Sequence, residues 1–287
     1  MAQDTLSYRG ADYAPDAFER EFNPRAVIAG METVLERRRT LAKATLARLP
    51  YTGGISYGPS ARQTMDIFPP DPAAEGNSAD LLFFHGGYWR AGHGPENCFV
   101  AESFTAAGGA VAMASYDLCP HVGIGDIVGQ AKQALAWTVA NAADYGIDPD
   151  NLWIGGHSAG AHLCAMLLAD PEMPPVAGAL LVSGIFDIAP VLNITVNAEI
   201  QATEADVAPW SPLNHPPVQQ TKMVVAFGAD ESTEWRRQSD LYAAIAKSAG
   251  CDAVTVAEQG EHHLGILFNL RLRDSPTVLA TLDAMRR

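Results

Sequence analysis

The stretch LWIGGHSAGAHL, residues 152–163, decides the fold. It opens as an apolar run of strand character, and from Ala159 it becomes rich in alanine and leucine, as a helix would. Between the two, Ser158 stands in a G-x-S-x-G pattern with Gly156 and Gly160 on either side. At a strand-to-helix junction this is the signature of a sharp turn that presents a serine. The glycines keep the turn open, because a Cβ at either position would collide with the neighbouring strand or helix. The serine is then held at a helix N-terminus, where the first backbone N–H groups have no intrahelical partner. The blander alternative is that Ser158 only caps the helix.

Outward from this junction, one theme repeats. Residues 81–84, 110–115, 152–155, 177–182 and 223–227 are short, nearly continuous apolar runs, and helical patterns cover 96–107, 124–145, 159–168 and 234–249. Continuous apolar strands alternating with helices predict a mostly parallel sheet with helices on both faces. Residues 63–68 alternate polar and apolar as a half-buried strand, and 253–257 read as a last strand before a terminal helix from about Thr277. A helical pattern over 24–49 ends at Pro50, and the proline- and glycine-bearing stretch 69–77 reads as a surface loop. The 287 residues suit one domain. Within 1–287 we expect an N-terminal helical extension over 1–50 and, after the sixth strand, a long lid-like insertion over 189–220.

The formal net charge of −14, with 48% apolar and 18% charged residues, describes a globular chain and disfavours nucleic acid or an anionic membrane as partner. No apolar run is long enough to span a bilayer, and the N-terminus lacks the basic and apolar regions of a signal peptide. The four cysteines are scattered with no CxxC pair, which suits buried thiols and a cytoplasmic location. There is no HExxH, no Asp-rich calcium loop and no GxGxxG after a strand, so no metal and no cofactor is expected.

A serine presented in this way performs acyl transfer when a base and an oxyanion-binding turn accompany it. His85-Gly86-Gly87-Tyr88-Trp89 closes an earlier apolar strand, where backbone N–H groups of Gly86, Gly87 and Tyr88 would join that of Ala159 around a carbonyl oxygen. An acid and a histidine should follow in that order, each past a strand end. Asp230, after the 223–227 run, is the favoured acid, with Asp187 and Glu231 as competitors. His262 and His263 stand side by side after 253–257, and spacing alone does not separate them.

These residues resemble the α/β-hydrolase fold, specifically the kynurenine formamidase (arylformamidase) and hormone-sensitive-lipase-like esterase branch. HGGYW at 85–89 is similar to the formamidase form of the oxyanion turn. Tyr116 to Pro120 resembles that family's YxLxP strand end, and Glu234, Trp235 and Gln238 resemble its E-F/W-x-x-Q stretch. The resemblance covers about 51–267. Its catalytic histidine stands in D-H-F, which aligns with His262-His263-Leu264 and favours His263. The acidic neighbour has become His262 and the phenylalanine Leu264, changes that touch the pocket. The resemblance implies a serine hydrolase that cleaves a small-acyl aryl amide or ester through an acyl-enzyme, with a general short-chain carboxylesterase as the alternative. A non-catalytic binding protein on the same scaffold is a third reading, weakened because all three triad types are present. The expected partner is a small-molecule ester or amide, and a homodimer is an open option. Tyr88, Trp89, His157, Trp210 and His262 are the candidate pocket residues, with Tyr88 and Trp89 expected to keep the acyl side small.

Overall fold

A computed structural model describes residues 5–74, 76 and 78–286; Glu75 and Asn77 of the expected surface loop lie outside the described residues. The core is an eight-stranded sheet. Its strands are β3 (Thr52–Ser56), β4 (Thr64–Phe68), β5 (Asp80–Phe84), β6 (Val111–Ala114), β7 (Leu152–His157), β8 (Gly178–Val182), β9 (Lys222–Gly228) and β10 (Asp252–Glu258). They lie in the order β10-β9-β8-β7-β5-β6-β4-β3. Every pair from β10 to β6 is parallel, and β4 pairs antiparallel with both β6 and β3. The expected mostly parallel sheet is present, and β7, which leads into Ser158, lies inside it.

The apolar runs are continuous because both faces are covered. On one face Leu82, Phe84, Ile154, Leu181 and Val225 pack into a core shared with α4 (Ile124–Asn141), α5 (Ala159–Leu168) and α8 (Thr233–Ser248). On the other, Leu81, Phe83, Trp153, Leu180 and Val224 meet α2 (Met31–Arg48), α3 (Ala101–Thr105), α9 (Gly265–Asn269) and α10 (Pro276–Arg286). Successive strand residues alternate between the two cores, as the pleat requires.

Three helical expectations are interrupted. The 24–49 pattern divides into a 3₁₀ turn at Pro24–Ala26 and α2, because Gly30 takes a left-handed φ of 65° between them. The 96–107 pattern is a 3₁₀ segment, Gly94–Val100, followed by the short α3, and the 124–145 pattern is α4 with a 3₁₀ end at Ala142–Tyr145. Ahead of them the chain forms a hairpin, β1 (Leu6–Tyr8) with β2 (Ala11–Tyr13), and α1 (Pro15–Phe22). The 189–220 insertion holds α6 (Asn197–Ile200) and α7 (Glu204–Trp210), which follow β8.

Candidate active site

The turn between β7 and α5 is as tight as its glycines imply. Ser158 has φ 56° and ψ −117°, a conformation that a side-chain-bearing residue adopts only under constraint. A Cβ on Gly156 would stand 2.3 Å from the carbonyl carbon of Gly160, and one on Gly160 would stand 2.0 Å from the carbonyl oxygen of Phe84. The Ser158 N–H donates to the Val182 carbonyl at 2.8 Å, which fastens the turn to β8. Its side chain makes no capping hydrogen bond to α5, so the capping alternative fails. Ser158 and His263 line one cleft.

His263 sits between rings. Its imidazole centroid lies 4.3 Å from that of Trp235 and 4.7 Å from that of His157. The Nδ1–H donates to Oε2 of Glu231 at 3.1 Å, which leaves Nε2 as the acceptor nitrogen. The carboxylate is buried, and its other oxygen accepts from Ser183 Oγ at 2.5 Å and from the Gly228 N–H at 2.8 Å. Glu231, not the expected Asp230, therefore meets the histidine. Past β9 the chain turns with Glu231 N–H on the Gly228 carbonyl and Asp230 N–H on the Glu261 carbonyl. That turn sends the Glu231 side chain inward and leaves Asp230 exposed. Asp187 is occupied elsewhere: its carboxylate accepts from Tyr8 Oη at 2.7 Å and Arg9 at 3.2 Å, anchoring the N-terminal hairpin.

The two adjacent histidines separate by role. His262 Nδ1 accepts from the Leu264 and Gly265 N–H groups at 3.2 and 3.0 Å, covering the start of α9. It borders a smaller neighbouring hollow, not the Ser158 cleft. His157 does line the cleft, and its Nε2–H donates to the His263 carbonyl at 2.7 Å, fixing the loop that carries the base. Burial, reinforced by the neighbouring His263, pushes the His157 pKa well below the ordinary imidazole value.

The His-Gly-Gly turn lies against the serine. A Cβ on Gly86 would stand 2.8 Å from His157 Nδ1 and 3.1 Å from Ser158 Cβ. Gly87 has φ 128°, and a Cβ there would meet the Ala91 carbonyl oxygen at 2.1 Å. His85 Nδ1–H donates to the Gly86 carbonyl at 2.8 Å while its ring stacks on Tyr116 with 4.1 Å between centroids. Burial lowers the His85 pKa to about 3, so the ring is neutral. Among the described residues no acceptor takes the N–H of Gly86, Gly87, Tyr88 or Ala159, the four groups expected to surround a carbonyl oxygen.

Besides His262, two more expected pocket residues lie outside the cleft lining. Trp89 is fully buried in the core, with Nε1–H donating to His162 Nδ1 at 3.2 Å. Trp210 packs its ring over Gly125 of α4 and offers its carbonyl to His162 Nε2–H at 2.8 Å. Tyr88 does line the cleft, and its hydroxyl donates to the Phe22 carbonyl. That bond carries the N-terminal segment over the site. Residues between Asn23 and Arg38 form the outer wall, whereas the lining contains nothing from 189–220. The N-terminal extension thus borders the cleft where the 189–220 insertion was expected to. Sequence reasoning missed Arg25, Arg38, Arg90 and Asn97 of the cleft lining; only Arg38 lay in a noticeable pattern, an Arg-rich run over 36–39 that resembles an ordinary solvated helix face.

Comparison with known proteins agrees with the fold. The BD-FAE family model matches residues 65–174. A kynurenine formamidase of Salmo salar is 28% identical over 91% of this chain and 93% of its own length. Among solved structures, a candidate thioesterase of Silicibacter sp. TM1040 is 28% identical with a TM-score of 0.79, covering 93% of this chain and 98% of that one. An esterase of Pyrobaculum calidifontis shares the fold at 18% identity, with a TM-score of 0.71 over 92% and 94% of the two chains.

Proposed function

We propose, from its similarity to a kynurenine formamidase and its likeness in fold to esterases, that this protein is a serine hydrolase cleaving small-acyl aryl esters or amides. The observation that carries the reading is the junction of a strained Ser158 with a Glu231-bound His263 on one cleft. In this mechanism His263 Nε2 takes the Ser158 proton as Oγ adds to the substrate carbonyl. Glu231 holds the ring in the required tautomer and stabilises the imidazolium. The developing oxyanion is bound by N–H groups of Gly87, Tyr88 and Ala159, in place before the reaction starts. Collapse breaks the bond to the leaving group, which receives its proton from His263. Water then attacks the acyl-enzyme, with His263 again as base.

Tyr88 in the cleft lining supports a small acyl group, and Met31, Leu35, Leu264 and Leu267 offer apolar surface for an aromatic leaving group. The test is kcat/KM for p-nitrophenyl acetate, butyrate and octanoate and for an N-formyl aryl amide, on wild type and Ser158→Ala. The alanine variant should stay folded and lose about 10⁴-fold or more. Retention of more than about a tenth of the rate would refute the nucleophile. Preference for octanoate would refute the small-acyl reading. Acetate turnover without amide cleavage would leave a short-chain carboxylesterase.

A further inference from the structure

The chain carries a net charge of −14, yet the wall of this cleft is cationic. Arg25, Arg38 and Arg90 all line it, and no aspartate or glutamate does. Arg38 pairs with Glu96 and Arg90 with Glu199, each at 2.8 Å, and neither carboxylate lines the cleft. Each uses one terminal nitrogen for that pair, and each keeps a buried Nε–H with no hydrogen-bond partner. Arg25 has no ion pair among the described residues. It leaves the 3₁₀ turn at Pro24–Ala26, which Asn23 Oδ1 fixes by accepting the Arg25 N–H at 3.1 Å. Burial, with Arg90 nearby, lowers the Arg25 pKa. Two carboxylates thus balance three cations, which leaves the cleft wall with an excess positive charge for an anion.

We propose that Arg25, Arg38 and Arg90 form a subsite for a carboxylate on the leaving-group side, so that the preferred substrates are anionic aryl esters or amides. The inference rests on the hydrolase reading above. Guanidinium groups bind carboxylates through directed, charge-assisted hydrogen bonds. In a protein of this overall charge they also supply the local attraction that the long-range field denies to an anion. Two of the three come from the N-terminal extension, which becomes the element that sets specificity.

The experiment pairs 3-acetoxybenzoate with its neutral isostere 3-acetoxybenzamide, and the 4-substituted pair likewise, each corrected for its rate of hydrolysis by hydroxide. The anionic partner of one pair should have about tenfold higher kcat/KM, mostly through KM. Arg25→Gln should cut that ratio by about tenfold, and Arg90→Gln should cut it as well. Arg39→Gln, on an exposed residue that pairs with Glu32 and Glu36 outside the cleft, should leave the ratio unchanged. Salt at about 0.5 M should shrink the ratio by screening. Calorimetry with the products 3-hydroxybenzoate and 3-hydroxybenzamide reads the subsite without turnover. Turnover of both esters at equal rates, or equal binding of the two products, would overturn the subsite. Absence of turnover with carboxylate-selective, Arg25-dependent product binding would instead refute the hydrolase reading and leave the subsite standing.

Discussion

Replacing Glu231 by glutamine changes one charge and leaves the volume of a buried side chain almost unchanged. In the wild type Oε2 accepts from His263 Nδ1 while Oε1 accepts from Ser183 Oγ and the Gly228 N–H. The two donors on Oε1 require an oxygen, so the glutamine would turn its NH₂ toward His263. Nδ1 would then have to accept, which moves the ring proton to Nε2, the nitrogen that must be free to take the serine proton. The imidazolium formed during reaction would also lose its counter-charge. Losses of this kind amount to about 4–5 kcal/mol of transition-state stabilisation, or roughly 10³–10⁴ in kcat/KM. The Ser183 and Gly228 bonds survive, so stability should fall by only about 1 kcal/mol, or about 2–4 °C in Tm. Asp230→Asn, on an exposed side chain whose backbone N–H alone is engaged, should stay within about twofold. The assay is kcat/KM for p-nitrophenyl acetate, with circular dichroism melts on each variant. A loss of about 10³ in Asp230→Asn alongside a loss under tenfold in Glu231→Gln would refute the assignment.

Two further outcomes test the frame around the site. His162 is buried between the Trp89 N–H and the Trp210 carbonyl, and desolvation lowers its pKa from 6.5 to about 4. The unfolded chain binds the extra proton first, so stability should be complete above about pH 6.5 and fall by of order 3 kcal/mol as pH drops to about 4. Urea midpoints across that range should show a shallower slope in His162→Gln, and an unchanged slope would exclude this histidine as a source. Gly160→Ala would force a Cβ against the Phe84 carbonyl. It should cost about 3 kcal/mol or more, with Tm lowered by about 6 °C or more. An alanine variant that melts like wild type would contradict the packing described for the turn.

The order of strands and helices, the elbow at Ser158 and the His-Gly-Gly turn were legible in the sequence because each is specified locally. A continuous apolar run of four to seven residues states burial on both faces, and it does so wherever the chain later goes. Gly156, Gly160 and Gly87 mark positions where no side chain fits, and the structure puts a backbone carbon or oxygen within 2.3 Å of each missing Cβ. His263 was legible only through resemblance. The tertiary structure alone decided that Glu231 and not Asp230 meets it, that Trp89 turns into the core, and that residues 23–38 cover the cleft in place of 189–220. All three depend on side-chain direction outside regular elements or on contacts across long stretches of chain. Inside a strand, neighbours alternate by rule; in the loop after β9 that rule lapses, and the hydrogen bonds accepted by the Gly228 and Glu261 carbonyls choose which carboxylate faces inward.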